Sequence, residues 1–115
     1  MYLILRGREC SPENCPKMSG GPQYEYLWKD DKRYKTPTKL SAPEYIMNLV
    51  EWVDDIYSNE KIFPVTVDKP FPRNFKDICK KILQRLYRIF VHIYIEHFER
   101  YIITLSIKLG ILNFI

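Results

Sequence analysis

The sequence predicts an all-α fold: a helical bundle with one small β-hairpin, preceded by an irregular, tethered N-terminal loop. Three observations predict it. From Ser41 to about Ser58, and again from Phe75 to about Phe98, apolar residues recur at the 3.6-residue spacing of an amphipathic helix. Between Cys10 and Leu40, by contrast, Pro12, Pro16, Gly20, Gly21, Pro22 and Pro37 interrupt any helical register. With 115 residues, 46% of them apolar and 15% aromatic, the chain has the composition of one globular domain and no length for a second.

Within the irregular segment Tyr24-Glu25-Tyr26-Leu27-Trp28 alternates like a strand, and Lys29-Asp30-Asp31-Lys32 reads as a turn returning through Arg33-Tyr34-Lys35, which together predict the hairpin. Ser41-Ala42-Pro43-Glu44 is a helix start with a mechanism. The Ser hydroxyl accepts from the Glu44 amide, and a proline in the first turn costs no intrahelical hydrogen bond. Tyr45, Leu49, Trp52, Val53 and Ile56 then form one buried stripe, and the helix should stop near Ser58-Asn59. The connection from Phe63-Pro64 to Pro70-Phe71-Pro72 is stiffened by its prolines and anchored by its phenylalanines, with Asn74 as the next N-cap. Ile78, Cys79, Ile82, Leu83, Leu86, Ile89, Phe90 and Ile93 define the core stripe of the second helix, on which Cys79 reads as small core filler.

Charge is unevenly spread. Residues 1–40 carry 8 Lys/Arg against 5 Asp/Glu, residues 41–68 carry 1 against 6, and residues 69–115 carry 9 against 3. The net +4 is too small for a nucleic-acid binder, but basic and acidic segments side by side suggest separate faces for separate protein partners. Three cysteines and no apolar run behind a charged start argue for the cytoplasm, without excluding the nucleus. The apolar stretch from Tyr101 to Ile115 would reach only about 22 Å as a helix and contains Lys108, so no membrane span is expected.

Cys10 and Cys15 lie five residues apart in a proline-containing turn, and His92 and His97 are likewise five apart near the end of the second helix. Two thiolates and two imidazoles make a closed tetrahedral donor set that suits a structural Zn²⁺ and leaves no position for a catalytic water. On a regular helix, however, residues five apart are rotated by about 140° and separated by about 7.5 Å of rise. Both rings reach one ion only if the helix is distorted or ends near His97. Idle thiols and hydrogen-bonded core histidines are the competing reading of the same residues.

Lys81, Arg85 and Arg88 stand at i, i+4 and i+7 on the second helix, with Lys80 adjacent. A pair of guanidinium groups at this spacing fits a phosphate, and phosphopeptide recognition is the sharp reading; a solvated face is the plain one.

Cys10-x4-Cys15-Pro16, the run from Met18 to Trp28, Ser41-Ala42-Pro43, Phe63-Pro64, Pro70 to Phe75 and His92-x4-His97-Phe98 occur together and in order. Together they resemble the Mob/phocein family of kinase activators, and Ile78 to Leu83 with Phe90-Val91-His92 resemble its third animal subgroup. The likeness divides the chain into an N-terminal extension (1–9), a partial Mob domain (10–102) and a divergent apolar tail (103–115). It implies a helical bundle of the Mob type, incomplete and truncated at both ends, with a structural zinc on Cys10, Cys15, His92 and His97. It also implies no catalysis, and partners among protein kinases of the Hippo/NDR type or their phosphorylated upstream kinases.

In the family both histidine ligands come from one long helix, and a basic pocket on that helix binds phosphorylated peptides, matching Arg85 and Arg88 with Lys81 nearby. The family often has a lysine where this chain has Gln84. Phe63 and Pro64 match positions that in some members face a partner kinase's N-terminal regulatory segment. A bundle short of helices exposes apolar stripes that others would cover, so marginal stability or association is expected. Three functions are weighed: a zinc-stabilised adaptor, a truncated form with weak or no partner binding, and, last, a zinc hydrolase with Glu96 beside His97.

Overall fold

A computed structural model describes residues 10–110. An irregular segment, residues 10–41, is followed by α1 (Ala42–Tyr57), a loop, α2 (Phe75–Glu96) and α3 (Phe98–Lys108). The stretch read as an N-terminal extension and the last five residues of the apolar tail lie outside the described residues.

α1 begins as its sequence dictates. Ser41 is extended (φ −61°, ψ 157°), its hydroxyl accepts from the Glu44 amide at 3.4 Å, and Pro43 occupies the first turn. The helix ends at Ser58, whose N–H donates to the Asp54 carbonyl. Ala42, Tyr45, Ile46 and Leu49 are buried, while Trp52, Val53 and Ile56 are half-buried along the same stripe.

The loop to α2 is an aromatic clamp. The Phe63 ring lies 5.6 Å from Tyr57 and 5.3 Å from Phe75, and Phe71 stacks 4.5 Å from Phe75, so the prolines and phenylalanines tie the two helix ends together. Asn74 does not cap α2 with its side chain, contrary to expectation. Its backbone is not extended (φ −94°, ψ 20°), which turns the amide group away from the first-turn N–H groups.

The expected β-hairpin is not formed; among the described residues there are only two isolated bridges, Ser19 with Glu25 and Trp28 with Thr38. The cause is the Asp30 carboxylate, which accepts from the amides of Lys32, Arg33 and Tyr34 at 2.9, 2.9 and 3.0 Å and from the Trp28 indole at 2.7 Å. It gathers these amides into a tight polar turn instead of releasing them to a ladder. Pro37 has no N–H to extend pairing beyond the Trp28–Thr38 couple, whose two hydrogen bonds are each 2.8 Å. The Tyr24–Tyr26 stretch pairs backward instead. The Tyr26 amide donates to the Met18 carbonyl at 2.8 Å, and the Gly20 amide to the Tyr24 carbonyl at 2.9 Å.

The core lies between this folded-back loop, α1 and one side of α2. Trp28, Tyr45, Met18, Leu49, Ile93 and His92 are fully buried, and Trp28 meets Tyr45 and Trp52 edge-on at 5.3 and 6.3 Å. The stripe predicted for α2 divides. Ile89 and Ile93 are buried and Ile78, Cys79, Ile82 and Leu86 half-buried, but Leu83 and Phe90 are 65% and 51% exposed. On a helical wheel Leu83 and Phe90 point about 100° or more away from Ile89, so a single neighbouring layer covers one set and not the other. No helix among the described residues is long and apolar enough to cross a membrane.

Candidate metal centre

Cys10 and Cys15 converge because the chain turns sharply between them. The Cys15 amide donates to the Ser11 carbonyl at 2.7 Å and the Asn14 amide to the Ser11 hydroxyl at 3.2 Å. The turn is pinned to the fold where the Ala42 amide, at the start of α1, donates to the Cys15 carbonyl at 3.0 Å.

His92 sits in the last turn and a half of α2, fully buried. Its Nδ1 lies 2.8 Å from the Ser19 carbonyl oxygen. A carbonyl only accepts, so Nδ1 carries the proton and Nε2 turns its lone pair toward the cysteines. That placement depends on a close approach of the loop to the helix: a Cβ on Gly20 would sit 2.8 Å from the Val91 Cγ1 and 3.0 Å from the Tyr26 hydroxyl.

His97 is where α2 stops. Its backbone (φ −128°, ψ 33°) leaves the helix, and α3 begins at the next residue. This break removes the obstacle that a continuous helix would pose to residues five apart, and brings the two Nε2 atoms to 3.2 Å.

The remaining distances complete a cage. Cys10 Sγ is 3.8 Å from His92 Nε2 and Cys15 Sγ is 3.4 Å from His97 Nε2, and all four donor atoms lie within 4.8 Å of one another. An ion about 2.3 Å from each sulfur and about 2.0 Å from each nitrogen requires tetrahedral edges of about 3.6 Å for S to N and about 3.3 Å for N to N. The cage has those dimensions, so the four residues can hold one metal ion.

Electrostatics point the same way. Burial, reinforced by the neighbouring Cys15, pushes the Cys10 thiol up to about 12. Burial also raises Cys15, with the Cys10 hydrogen bond opposing and Glu96 adding. His92 is lowered, chiefly by burial, against the opposing hydrogen bond to Ser19. The pocket disfavours bare thiolates, and a divalent cation held by these donors would supply the charge that a buried thiolate pair needs.

The basic residues of α2 do not simply face solvent. The Arg85 guanidinium lies 4.7 Å from the Trp28 ring and 4.5 Å from the Trp52 ring, with one nitrogen donating to the Lys29 carbonyl at 3.0 Å. Arg88 lies 5.0 Å over Tyr26 and donates to the Tyr45 hydroxyl at 2.7 Å, and Lys81 reaches to 5.9 Å from Trp52. Burial lowers the pKa of Arg85, and its Nη1 is buried with no hydrogen-bond partner. Phe63 and Pro64 stand apart from this face, in the half-buried clamp between α1 and α2.

No sequence pattern marks Trp28, Trp52, Tyr26 and Tyr45 as the platform for the arginines, or Ser19 as the carbonyl that orients His92. An aromatic-rich loop next to an Arg-bearing helix was the only available signal for the platform, and a backbone carbonyl has no residue-type signature at all.

Fold and cage together define a small helical domain with a buried two-cysteine, two-histidine cluster that could hold a metal ion. The chain belongs to the Mob1/phocein family, whose match covers residues 1–111. It is 56% identical over 94 residues to MOB kinase activator 3B of Homo sapiens, covering 82% of this chain and 44% of the relative. To MOB kinase activator 3C of Homo sapiens it is 51% identical over 90 residues, covering 78% and 42%. To MOB kinase activator-like 3 of Drosophila melanogaster it is 55% identical over 91 residues, covering 79% and 41%. These relatives place it with the third Mob subgroup, and the chain spans less than half the length of each of them.

Proposed function

We propose that the chain is a non-catalytic, zinc-stabilised adaptor of the kinase-activator kind, acting in the cytoplasm on kinases of the Hippo/NDR type or on their phosphorylated upstream kinases. Zinc is the ion that suits two thiolates and two imidazoles at tetrahedral edges, and four protein donors leave no coordination position for a substrate water. The hydrolase reading therefore falls away. When bound, the ion would tie residues 10–15 to the end of α2 and so hold the basic face of that helix in register with the aromatic loop.

The observation that carries the partner reading is the mounting of Arg85. Its guanidinium lies within 4.7 Å of the Trp28 ring centre and 4.5 Å of the Trp52 ring centre, and one buried nitrogen has no hydrogen-bond partner. Arg88 is held beside it by Tyr45 and Tyr26. A phosphate monoester is the ligand chemistry that two preorganised guanidinium groups recognise best, with Lys81 adding a mobile charge. Phe63 and Pro64 supply a separate docking edge for a kinase segment.

The test is calorimetric titration of a phosphothreonine peptide and its unphosphorylated twin. We expect binding of the phosphorylated form only, weakened at least tenfold by Arg85→Ala/Arg88→Ala at unchanged metal content. Gln84 is exposed, so Gln84→Lys adds a charge without disturbing the core and should tighten binding several-fold at low salt. Equal affinity for both peptides, or indifference to all three substitutions, would refute the phosphate-docking reading.

A further inference from the structure

Ser19 meets the end of α2 twice. Its carbonyl oxygen lies 2.8 Å from His92 Nδ1, and its hydroxyl donates to Glu96 Oε1 at 2.9 Å. One residue can make both contacts because His92 and Glu96 are four apart on α2, and so stand on one face a single turn from each other. His97, five residues from His92, does not share that face and is brought in by the break at the helix end. The two imidazoles of the cage are therefore placed by different devices.

The pairing of the loop with itself aims Ser19 at the helix. The Met18 carbonyl accepts from the Tyr26 amide at 2.8 Å and the Gly20 amide donates to the Tyr24 carbonyl at 2.9 Å, so the backbone groups on either side of Ser19 face residues 24–26. Carbonyls alternate in direction along extended backbone, which turns that of Ser19 to the opposite edge, toward α2. The pairing of Ser19 with Glu25 is an isolated bridge, however, and a single bridge holds an edge only weakly. The Ser19 side chain adds the second hold. Its residue is only 6% exposed, and a buried hydroxyl needs a partner; an ionised carboxylate, which can only accept, is the one it meets.

From this juxtaposition we infer that Glu96 is a positioning residue for the metal cage: by holding the Ser19 hydroxyl it clamps the Ser19 carbonyl on His92 Nδ1, and so keeps His92 Nε2 turned toward Cys10 Sγ, 3.8 Å away. The carboxylate acts through Ser19 and not as a further donor, since Glu96 is outside the four residues whose ligand atoms lie within 4.8 Å of one another. An acceptor on the far nitrogen of a ligand histidine sets the ring's tautomer and orientation, and its loss ordinarily costs about 10–100-fold in metal affinity. Here that acceptor belongs to a loop, so its own anchor inherits part of the effect. The inference rests on the metal reading of the cage.

Zn²⁺ affinity of the 115-residue chain, measured by competition with a chromophoric chelator, tests it. Ser19→Ala and Glu96→Ala should each weaken binding about tenfold, and Ser19→Ala/Glu96→Ala should lose no more than either alone, because all three remove the same hydrogen bond. Glu96→Gln keeps an acceptor oxygen and should stay within about threefold of the parent. Glu96 is exposed and Ser19→Ala removes a single oxygen, so packing is left in place. Side-chain ¹⁵N–¹H spectra of the zinc-loaded chains add a readout that a merely structural role would not move. The His92 Nδ1 proton should exchange slowly in the parent and in Glu96→Gln, and faster in Ser19→Ala and Glu96→Ala. Equal losses in Glu96→Gln and Glu96→Ala would assign the effect to charge and overturn the clamp, as would losses that multiply in the double variant. Affinity unchanged by Ser19→Ala and Glu96→Ala would overturn it while the metal reading stands; a parent chain that binds no Zn²⁺ overturns both.

Discussion

On the proposed zinc reading, removing the metal from the Cys10, Cys15, His92 and His97 cage should loosen the whole domain, and the size of the effect follows from chain topology. Cys10 and His92, like Cys15 and His97, are 82 residues apart. A cross-link closing a loop of that length withdraws about 15 cal/mol/K from the unfolded chain by the loop-entropy relation, or about 4.5 kcal/mol at 25 °C. For a domain of roughly 100 residues that corresponds to a fall in Tm on the order of 15–20 °C. The figure is a floor if the emptied cage also leaves buried donors without partners.

The assay is thermal unfolding followed by far-ultraviolet circular dichroism, with metal content measured on the same sample. It is run with and without a chelator and after restoring Zn²⁺. Cys15→Ala should reproduce the chelated state and should not respond to added Zn²⁺. A transition that stays in place after one equivalent of metal has been stripped would show that the four side chains are ordinary core residues, and the reasoning from loop closure would fail.

Two further outcomes follow from the loop that replaced the hairpin. Asp30 is held at about 2, below its ordinary 3.8; burial pushes it up, but the hydrogen bonds from Tyr34, Trp28, Lys32 and Arg33 outweigh that and favour the carboxylate. Because the folded value lies below the unfolded one, the unfolded chain binds more protons between them, so the stability Asp30 contributes is present above about pH 4 and is lost as pH falls toward 2. The difference in unfolding free energy between the parent chain and Asp30→Ala, from denaturant titration, should therefore be about 1–3 kcal/mol near pH 7 and shrink in acid; a gap that widens as pH falls contradicts this account. Gly20→Ala should cost about 1–3 kcal/mol by driving a methyl group into Val91 and Tyr26, and should loosen metal affinity by shifting the Ser19 carbonyl off His92. Unchanged stability and affinity would mean that the loop yields without strain.

The local decisions were legible in residue order. Ser41 with Glu44 and Pro43 announces a helix because the cap is made by neighbours in the chain, and the 3.6-residue spacing of Tyr45, Leu49 and Trp52 names the face that α1 buries. The four candidate donors of the cage could be named from the sequence, but their spacing left idle thiols and core histidines as a competing reading, and the family resemblance favoured the metal. That they meet at 3.2 to 3.8 Å was not legible, because it depends on where α2 breaks and on contacts 73 to 82 residues apart in sequence.

Tertiary structure alone decided which apolar residues became core. Periodicity assigned Leu83 and Phe90 to the same stripe as Ile89, yet which side of a broadly apolar helix is covered depends on what lies against it, and here one layer packs on one side. It also converted three helix cations into groups held over aromatic rings, since a guanidinium finds its aromatic partner through space and carries no record of that partner in its own sequence neighbourhood. Short-range hydrogen bonding and spacing are written along the chain; burial and long-range coordination exist only once the chain has closed on itself.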